Sequence, residues 1–425
     1  MLTPSLLALS LAVPALAGAP PPDASSVTLR RCYDWALGRS EDLKVRAEDV
    51  EQADQRARGA LAGVYPRVDW EFSEVWQDPA GVRRLEAQGF GGFVQKEQAE
   101  SRVNVNQALF SGFKEFTALK GFRKESERDA LRVRRARTEL FARAAAAFYG
   151  VLARETEAAN TAEGLLLAED RVRELKALGR LGKARPSEVY TAVARAAALR
   201  AALVQSRARI ASAREELSFI TGQDLARRPL SDAPSGAPPP TLEEALAAAR
   251  QRSDVRAQRD DAAANELRVR YELGNYWPTL DLLGRYHTRR ATFMREIDWD
   301  AALTLRLPVF QGGRVDAAVK RARSAHRQSL LALEELERRA AYEARRLHGE
   351  LTSALEEAQA QEESADAARK SYDSLREEYT LGLVTNLDVL QALDLLQAQR
   401  GARDAARLDV KRHVVELGVA TETLP

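Results

Sequence analysis

Residues 299–313 read WDAALTLRLPVFQGG, an alternating strand-like run that ends in two glycines. One face of the run is apolar throughout: Trp299, Ala301, Leu303, Leu305, Leu307 and Val309. Asp300, Thr304 and Arg306 lie on the other face. Such alternation over about ten residues is typical of one pass of a transmembrane barrel. It predicts that Trp299, Leu303, Leu305 and Leu307 face lipid; a small soluble antiparallel sheet is the alternative.

A very long helix is predicted directly after this strand. The chain from Gly313 to about Leu381 contains no proline, and at about 1.5 Å per residue a helix of this length would measure roughly 100 Å. Its apolar residues are sparse and recur at spacings of three, four or seven among Glu and Arg, as in 330–347. This pattern favours a coiled coil, with an ordinary solvated helical bundle as the alternative.

The same landmarks occur twice in the chain. They are a Thr-Leu helix start, an aromatic-Pro pair, a Phe-containing glycine turn, and a glycine six residues before an acidic one. Their positions are 28–29 and 241–242, 65–66 and 277–278, 109–112 and 309–313, and 182 and 382. The offset is 212 to 213 residues before the strands and 200 after them. We therefore predict two tandem repeats, each a helix, two strands, a long helix and a further helix.

The repeat predicts how the chain is divided. Residues 1–17 are expected to be a signal peptide, because an apolar run is followed by the small-x-small site Ala15-Leu16-Ala17. A buried apolar N-terminal helix is the alternative, which Pro4 and Pro14 disfavour. The first repeat then comprises 18–225, a Pro-rich linker 226–240, and the second repeat 241–425.

Two strands per repeat give four strands per chain, too few to close a barrel. Three chains would supply twelve strands, an even number that suits a water-filled pore. The polar segment 77–101 is expected to be a long exposed loop between the first two strands. The residues therefore predict a fold that is mainly α with a β-barrel part, in which long coiled-coil helices join a barrel of twelve strands from three chains.

Composition argues against several other classes of protein. The 64 basic and 62 acidic residues nearly balance, so no field would attract nucleic acid. The four histidines show no metal-binding spacing, and neither nucleophile nor phosphate-loop signatures occur. We expect no enzyme, no catalytic residue, no metal site and no cofactor. Cys32, the sole cysteine, is expected to be a small apolar residue on a helix face.

The ordered landmarks resemble those of the TolC family of bacterial outer-membrane efflux proteins. The second repeat carries TLEEAL (241–246), WP (277–278), VFQGG (309–313) and GLVTNLDVLQA (382–392). Weaker copies in the first repeat are TLRRCYDWAL (28–37), YP (65–66), LFSG (109–112) and GKARPSEVYTA (182–192). Each motif alone is weak, but the two ordered and correctly spaced sets cover essentially the whole chain after the signal peptide.

The resemblance implies a homotrimer in which a twelve-stranded β-barrel spans the outer membrane and contacts its lipid. A coiled-coil α-barrel would extend from it into the periplasm. The resemblance further implies a passive conduit in a tripartite efflux or type I secretion system. The implied partners are a periplasmic adaptor protein and an inner-membrane pump of the RND, ABC or MFS type. No nucleic acid is involved. The alternative function is a soluble periplasmic coiled-coil scaffold, which leaves the paired strands in each repeat unexplained.

The resemblance also indicates which residues would carry the function. The turns that contact the adaptor would be formed by Leu181, Gly182, Lys183, Leu381, Gly382, Leu383, Val384 and Thr385. Asp388 would line the pore constriction, with Gln391 where relatives can carry a second aspartate and with Glu188 at the matching position of the first repeat. From the residues alone, Asp388 is equally interpreted as a charge that stabilises a helix N-terminus.

Overall fold

The computed structural model describes residues 26–90, 94, 96–232, 239–290 and 296–424. The predicted signal peptide, residues 1–17, lies outside the described residues. So do residues 233–238 of the predicted Pro-rich linker.

The described chain is mostly helical, and each repeat contains two strands. The helices are α1 (Leu29–Arg39), α2 (Glu41–Ala62), α3 (Pro79–Leu85), α4 (Lys114–Arg180), α5 (Pro186–Thr221), α6 (Leu242–Ala249), α7 (Ser253–Leu273), α8 (Arg314–Thr380) and α9 (Asn386–Ala420). The strands are β1 (Arg67–Trp76), β2 (Glu97–Phe110), β3 (Thr279–Arg289) and β4 (Trp299–Arg306). A π-helical turn, Glu86–Phe90, follows α3, and a 3₁₀ turn, Gly274–Tyr276, follows α7.

The two long helices confirm the predicted 200-residue offset. Helices α4 and α8 contain 67 residues each, which corresponds to about 100 Å. They begin at 114 and 314, and the helices that follow them begin at 186 and 386. A residue in the left-handed conformation precedes each long helix: Phe113 with φ 60° and Gly313 with φ 78°. The chain therefore makes the same sharp change of direction between strand and helix in both repeats.

The helical segment before each strand pair is interrupted, whereas the sequence predicted one continuous segment. Ser40 adopts non-helical dihedral angles, and its hydroxyl accepts a hydrogen bond from Leu43 N at 3.4 Å. It thereby ends α1 and caps α2. In the second repeat the interruption lies at Arg252, whose guanidinium is held by Asp254 and Glu343 at 2.7 and 2.6 Å.

The four strands form a single antiparallel sheet in the order β1-β2-β3-β4. In register, Trp70 faces Val103, Val103 faces Tyr286, and Tyr286 faces Trp299. Strand β4 ends at Arg306, so Leu307 and Val309 lie just beyond the strand in which the alternation placed them.

The segment 77–101 is not the continuous loop that its polarity predicted. Asp78 accepts hydrogen bonds from Ala80 N at 3.0 Å and Gly81 N at 2.9 Å, and Pro79 occupies the first turn, so α3 forms there. Strand β2 begins at Glu97, inside the predicted loop. Part of the matching segment near 289–298 lies outside the described residues.

A hydrophobic core lies where α1 and α5 meet the middle of α4. Phe148 and Leu217 are fully buried there. Cys32 lies in the same core, as the sequence predicted, and burial raises its pKa to about 12. The C-terminal end is fastened nearby, because Glu422 accepts hydrogen bonds from the backbone N and the hydroxyl of Ser253 at 2.9 and 2.7 Å.

The long helices pack side by side in a fixed order. Near the sheet, α4 packs against α2 and α7, and α7 packs against α8. Away from the sheet, α4 lies between α5 and α9, and α9 packs against α8. Among the described helices, none has a stretch long and apolar enough to span a membrane.

Candidate functional site: two hairpin turns and a two-faced sheet

The turns between the long helices and the helices that follow them have the same backbone geometry in both repeats. Gly182 and Gly382 have φ values of 71° and 78°, which glycine adopts without a steric penalty. Lys183 N donates to Leu178 O at 2.9 Å, and Leu383 N donates to Glu378 O at 3.0 Å. These bonds satisfy the last carbonyl groups of α4 and α8.

The helix caps that follow these turns are built from different groups. At the second turn, Asp388 Oδ2 accepts from Thr385 N at 2.8 Å and from the Thr385 hydroxyl at 2.6 Å, and Asp388 N donates to Thr385 Oγ1 at 3.4 Å. At the first turn, Glu188 Oε2 accepts from Arg185 N at 2.9 Å. An arginine side chain has no acceptor, so only half of a capping box forms there.

The cap explains the protonation behaviour of Asp388. Hydrogen bonds from the Thr385 hydroxyl and backbone N–H favour the ionised carboxylate, so they hold the pKa of Asp388 below its usual range. In the single chain, therefore, Asp388 caps the N-terminus of α9, which is one of the two roles predicted for it. Gln391 lies one helical turn further along α9 and is exposed, whereas Val389 and Leu393 are buried against α8.

The tips of both turns expose leucine side chains. Leu181, Leu381 and Leu383 are 71%, 73% and 71% exposed. Val384 differs, because it packs against the apolar cluster between α8 and α9. An open groove of about 880 Å³ lies between the two turns and includes Gly182 and Gly382 in its lining. The structure thus places the two sets of predicted turn residues side by side at one end of the molecule.

A buried arginine on α4 ties the second turn to the first repeat. Arg171 is 4% exposed, and its Nε donates to Asn386 Oδ1 at 2.9 Å. Its guanidinium lies 3.9 Å from the centre of the Tyr379 ring, and Nη1 donates to Glu174 at 2.8 Å. Sequence reasoning missed this residue. The sequence does contain one signal for it. The residue 200 positions later is Ser371, so the two repeats differ at this position.

At the other end of the molecule, the sheet has one apolar and one polar face. The apolar face is exposed: Trp70, Trp299, Leu303 and Leu305 are between 64% and 69% accessible. These side chains share one face because the register pairs Leu303 with Leu282 and Leu305 with Leu280. Trp70 and the other apolar residues of β1 were not predicted as site residues, although 68–76 shows the same alternation.

The polar face is crossed by hydrogen bonds between neighbouring strands. Arg102 on β2 donates to both carboxylate oxygens of Glu71 on β1, with Nη2–Oε1 at 2.9 Å and Nε–Oε2 at 3.0 Å. Arg285 on β3 donates to Asp300 on β4 at 2.8 Å. The charged groups are thus paired along a face that remains hydrophilic.

One group of potential metal ligands was not foreseen from the sequence. Glu350, His413 and Glu416 place their ligand atoms within 4.8 Å of one another. Arg346 Nη1 already donates to both oxygens of Glu350, at 2.7 and 2.9 Å, and Arg412 lies 3.6 Å from Glu416. These carboxylates therefore have arginine counter-charges, as in an ion-pair cluster on a helix surface.

Residues 242–421 match the sequence model of the outer membrane efflux protein family. The chain is also similar in structure to the channel CusC, with a TM-score of 0.80, 16% identity, and coverage of 92% of this chain and 91% of CusC. For the outer membrane protein VceC of Vibrio cholerae the TM-score is 0.77 and the identity 17%, with 93% and 95% covered. For the outer membrane channel CmeC of Campylobacter jejuni the TM-score is 0.78 and the identity 16%, with 92% and 85% covered. No curated protein matches the chain.

These comparisons confirm the resemblance to the TolC family and the predicted fold class. The mostly helical chain with its four-stranded antiparallel sheet has the fold of these outer-membrane channels. The matched family is one of channels rather than enzymes. Family and fold together support an outer-membrane efflux channel.

Proposed function

We propose that this protein is the outer-membrane channel of a tripartite efflux or type I secretion system, and that it conducts its cargo passively. The observation that carries the proposal is the two-faced sheet at one end of helices about 100 Å long. An apolar face outside and a polar face inside is the arrangement a membrane pore requires.

The sheet supports assembly into a homotrimer. Trp70, Trp299 and Leu303 remain about two-thirds exposed in the single chain, which is unfavourable in water over such a contiguous surface. Strands β1 and β4 are the two edges of the sheet, and open edges are not stable in lipid. Three copies joined edge to edge would form a closed barrel of twelve strands, with the apolar face toward outer-membrane lipid, including the predicted lipid-facing residues Trp299, Leu303, Leu305 and Leu307.

The helices would continue the pore into the periplasm, and the turns would form its far end. The exposed Leu181, Leu381 and Leu383 offer apolar tips on a charged molecule. Such tips suit contact with the hairpins of a periplasmic adaptor protein. An inner-membrane pump of the RND, ABC or MFS type would supply the energy. The remaining contact residues in this proposal are Gly182, Lys183, Gly382, Val384 and Thr385.

Three copies of the second turn would form the pore constriction. Asp388 and Gln391 lie one helical turn apart at the start of α9. Asp388 is ionised at neutral pH, as any aspartate of ordinary pKa would be, and the hydrogen bonds from Thr385 favour that state further by lowering its pKa. A ring of three such carboxylates would attract cations. Glu188 occupies the matching position on α5 and would contribute at the same level.

The alternative, a soluble periplasmic scaffold, fits the helices but not the sheet. A soluble protein would bury or cover the aromatic residues of its sheet, and Trp70, Trp76 and Trp299 are 67%, 70% and 68% exposed. The exposed aromatic face that these residues share is therefore the observation that favours a membrane channel over a soluble scaffold.

The test combines fractionation, mass and conductance. We expect the protein in the outer-membrane fraction, and in detergent we expect three times the mass of the chain that remains once the predicted signal peptide, residues 1–17, is removed. Reconstitution into planar bilayers should give stepwise ion conductance. A monodisperse monomer recovered from the soluble periplasm, with no conductance, would overturn the proposal.

A further inference from the structure

A row of aromatic side chains crosses the apolar face of the sheet near the end that is remote from the helices. Trp70, Tyr286 and Trp299 lie at one level on this face, and Val103 lies between the first two. These three residues, the aromatic row, are 67%, 54% and 68% exposed. Aromatic side chains at one level of a lipid-facing surface are typical of the boundary between hydrocarbon and headgroups. In the proposed channel the aromatic row would therefore mark the outer boundary of the membrane.

A β-bulge lies just beyond the aromatic row. Arg102 pairs with His287, but Ser101, the residue before Arg102, pairs with Arg289. Two residues of β3 therefore lie opposite one residue of β2. A bulge breaks the alternation of side chains along a strand and commonly redirects a side chain. Without the bulge, Arg289 would lie on the polar face together with Arg285 and His287.

Hydrogen bonds show which face the residues of the bulge occupy. Trp70 Nε1 donates to Ser101 Oγ at 2.9 Å, so Ser101 lies on the apolar face. Thr288 Oγ1 donates to the same oxygen at 2.8 Å. Arg289 lies directly opposite Ser101 and shares its face, because paired residues of an antiparallel ladder point to the same side. The bulge therefore moves Arg289 from the polar face to the apolar face.

The Arg289 side chain is exposed, and its guanidinium forms no ion pair or hydrogen bond with any residue that the structure describes. The segment 291–295, which lies outside the described residues, reads ATFMR and contains no carboxylate. On the apolar face, the carboxylates of Glu74 and Glu97 lie one and two ladder rows farther from the helices than Arg289 does. Arg289 is thus the first charged side chain on this face beyond the aromatic row.

The height of Arg289 above the helices matches the thickness of a membrane. Strand β3 runs from Thr279, next to the helices, to Arg289. At about 3.4 Å per residue and a tilt of about 40°, the strand rises about 25 Å along the barrel axis. The lipid-facing apolar band of such barrels is also about 25 Å tall. A guanidinium at this level lies among lipid headgroups, and its paired N–H donors match the oxygens of a phosphate group.

We propose that Arg289 of each subunit binds a phosphate group of a lipid in the outer leaflet of the membrane. This inference rests on the proposed channel and names the lipid chemistry that its outer rim recognises. The occupant is a lipid rather than free phosphate, because the aromatic row and Phe72, which is 50% exposed, lie beside Arg289 on the same face and suit acyl chains. One bound lipid per subunit would hold the channel at a fixed depth.

Native mass spectrometry of the detergent-extracted trimer tests the lipid contact. The probe is diphosphorylated lipid A, compared with the same glycolipid without its phosphates and with inorganic phosphate. We expect the wild type to retain the phosphorylated lipid and Arg289→Gln to retain several-fold less. Arg289→Lys keeps the charge but loses the paired donors, so it should fall between the two. Arg306→Gln, the matched change of an exposed arginine at the helical end of the sheet, should bind as the wild type does.

Spin labelling tests the effect of the bulge independently of lipid chemistry. In a Cys32→Ala background, Arg289→Cys, Phe72→Cys and Ser73→Cys each carry a nitroxide in bilayers that contain a lipid with a nickel-chelating headgroup. Phe72 lies in the same ladder row as Arg289 on the apolar face, and Ser73 follows it on the polar face. We expect strong relaxation by nickel at positions 289 and 72 and weak relaxation at position 73. A label at 289 that behaves like the label at 73 would overturn the inference.

Conductance in planar bilayers separates this inference from the channel proposal. A conducting trimer in which Arg289→Gln retains as much phosphorylated lipid as the wild type would overturn the lipid site and leave the channel intact. Equal losses in Arg289→Gln and Arg306→Gln would also overturn the site, because binding would then follow net charge. Binding of inorganic phosphate in place of the lipid would overturn the choice of a lipid as occupant. A soluble protein that does not conduct would overturn both proposals.

Discussion

The two hairpin turns have nearly the same backbone but different attachments. Gly182 and Gly382 have similar φ values, and the same carbonyl groups are satisfied in each turn. The second turn is fastened to the opposite repeat through Arg171, Asn386 and Tyr379. At the positions 200 residues away in the sequence the chain has Ser371, Pro186 and Gly179. None of these residues can reproduce the contacts of Arg171, Asn386 and Tyr379.

This difference shows how a duplicated unit can acquire a specialised end. The backbone needed to reverse the chain is kept in both copies, because a helix can only end and turn in a few ways. The side chains that lock one turn in place occur in a single copy. We therefore expect changes at the second turn to alter the channel more than matched changes at the first.

The largest effect is expected from a bulky charge at the tip of the second turn. In Gly382→Glu the side chain would enter open space, since no atom lies within 4 Å of the added Cβ, but φ would remain at 78° at a cost of about 1–2 kcal/mol. Efflux should be abolished, because a charge would stand among the exposed leucines. The measurements are drug accumulation in cells and the amount of trimer in the outer membrane.

Gly182→Glu is the matched change in the first turn and should reduce efflux less. Gly382→Ala imposes the same backbone conformation without the charge and should retain most of the activity. Normal efflux by Gly382→Glu, with normal membrane levels, would remove this turn from the adaptor contact.

A smaller but clear effect is expected from releasing the second turn. Arg171→Ala removes a hydrogen bond from a buried charged group, worth about 1.5–3 kcal/mol, together with the contact to the Tyr379 ring. The turn should then open more often. We expect a several-fold rise in single-channel open probability and in entry of bulky polar antibiotics.

Ser371→Ala, the matched change in the second repeat, should leave the open probability unchanged. Arg171→Lys keeps the charge but loses the planar contact and the fixed donor geometry, so it should fall between wild type and Arg171→Ala. Equal behaviour of Arg171→Ala and Ser371→Ala would show that the asymmetry between the turns has no role in opening.

The parts of the structure that follow from periodicity could be predicted from the sequence. The alternation in 299–309 identified β4, although the strand ends at Arg306, and the proline-free run after Gly313 identified α8. Recurring landmarks gave the 200-residue offset that α4 and α8 display. These features depend on local backbone preferences and on which faces are apolar, and a single sequence records both.

Contacts between distant segments could not be predicted in this way. Arg171 is an ordinary arginine in the sequence of a charged helix, and its burial depends on how Tyr379 and Asn386 approach from another repeat. The helix α3 was missed because a cap by Asp78 outweighed the loop-like composition around it. The predicted ends of segments also differ from the observed ones where a single side chain determines the boundary. Ser40, which separates α1 from α2, is an example.

The smallest expected effect separates the two roles of Asp388. Its folded-state pKa is lowered by Thr385, so its contribution to the α9 cap is fully present above the unfolded pKa of about 3.9 and is lost as the pH falls through the lower folded value. The carboxylate therefore stays charged from neutral pH down to about pH 5, and cation preference should be constant over that range. The preference should decline at a lower pH than it would for an ordinary aspartate, as the pH falls through the lowered folded pKa of Asp388.

Two substitutions distinguish the charge from the cap. Asp388→Asn removes the charge but keeps an oxygen that can accept from Thr385, whereas Asp388→Ala removes both. If the charge acts on the pore, reversal potentials in a salt gradient should shift equally for both variants, and Glu188→Gln should shift them less. A shift seen only with Asp388→Ala would mean that the carboxylate acts by holding the end of α9, and the second turn would then differ from the first in its attachment rather than in its charge.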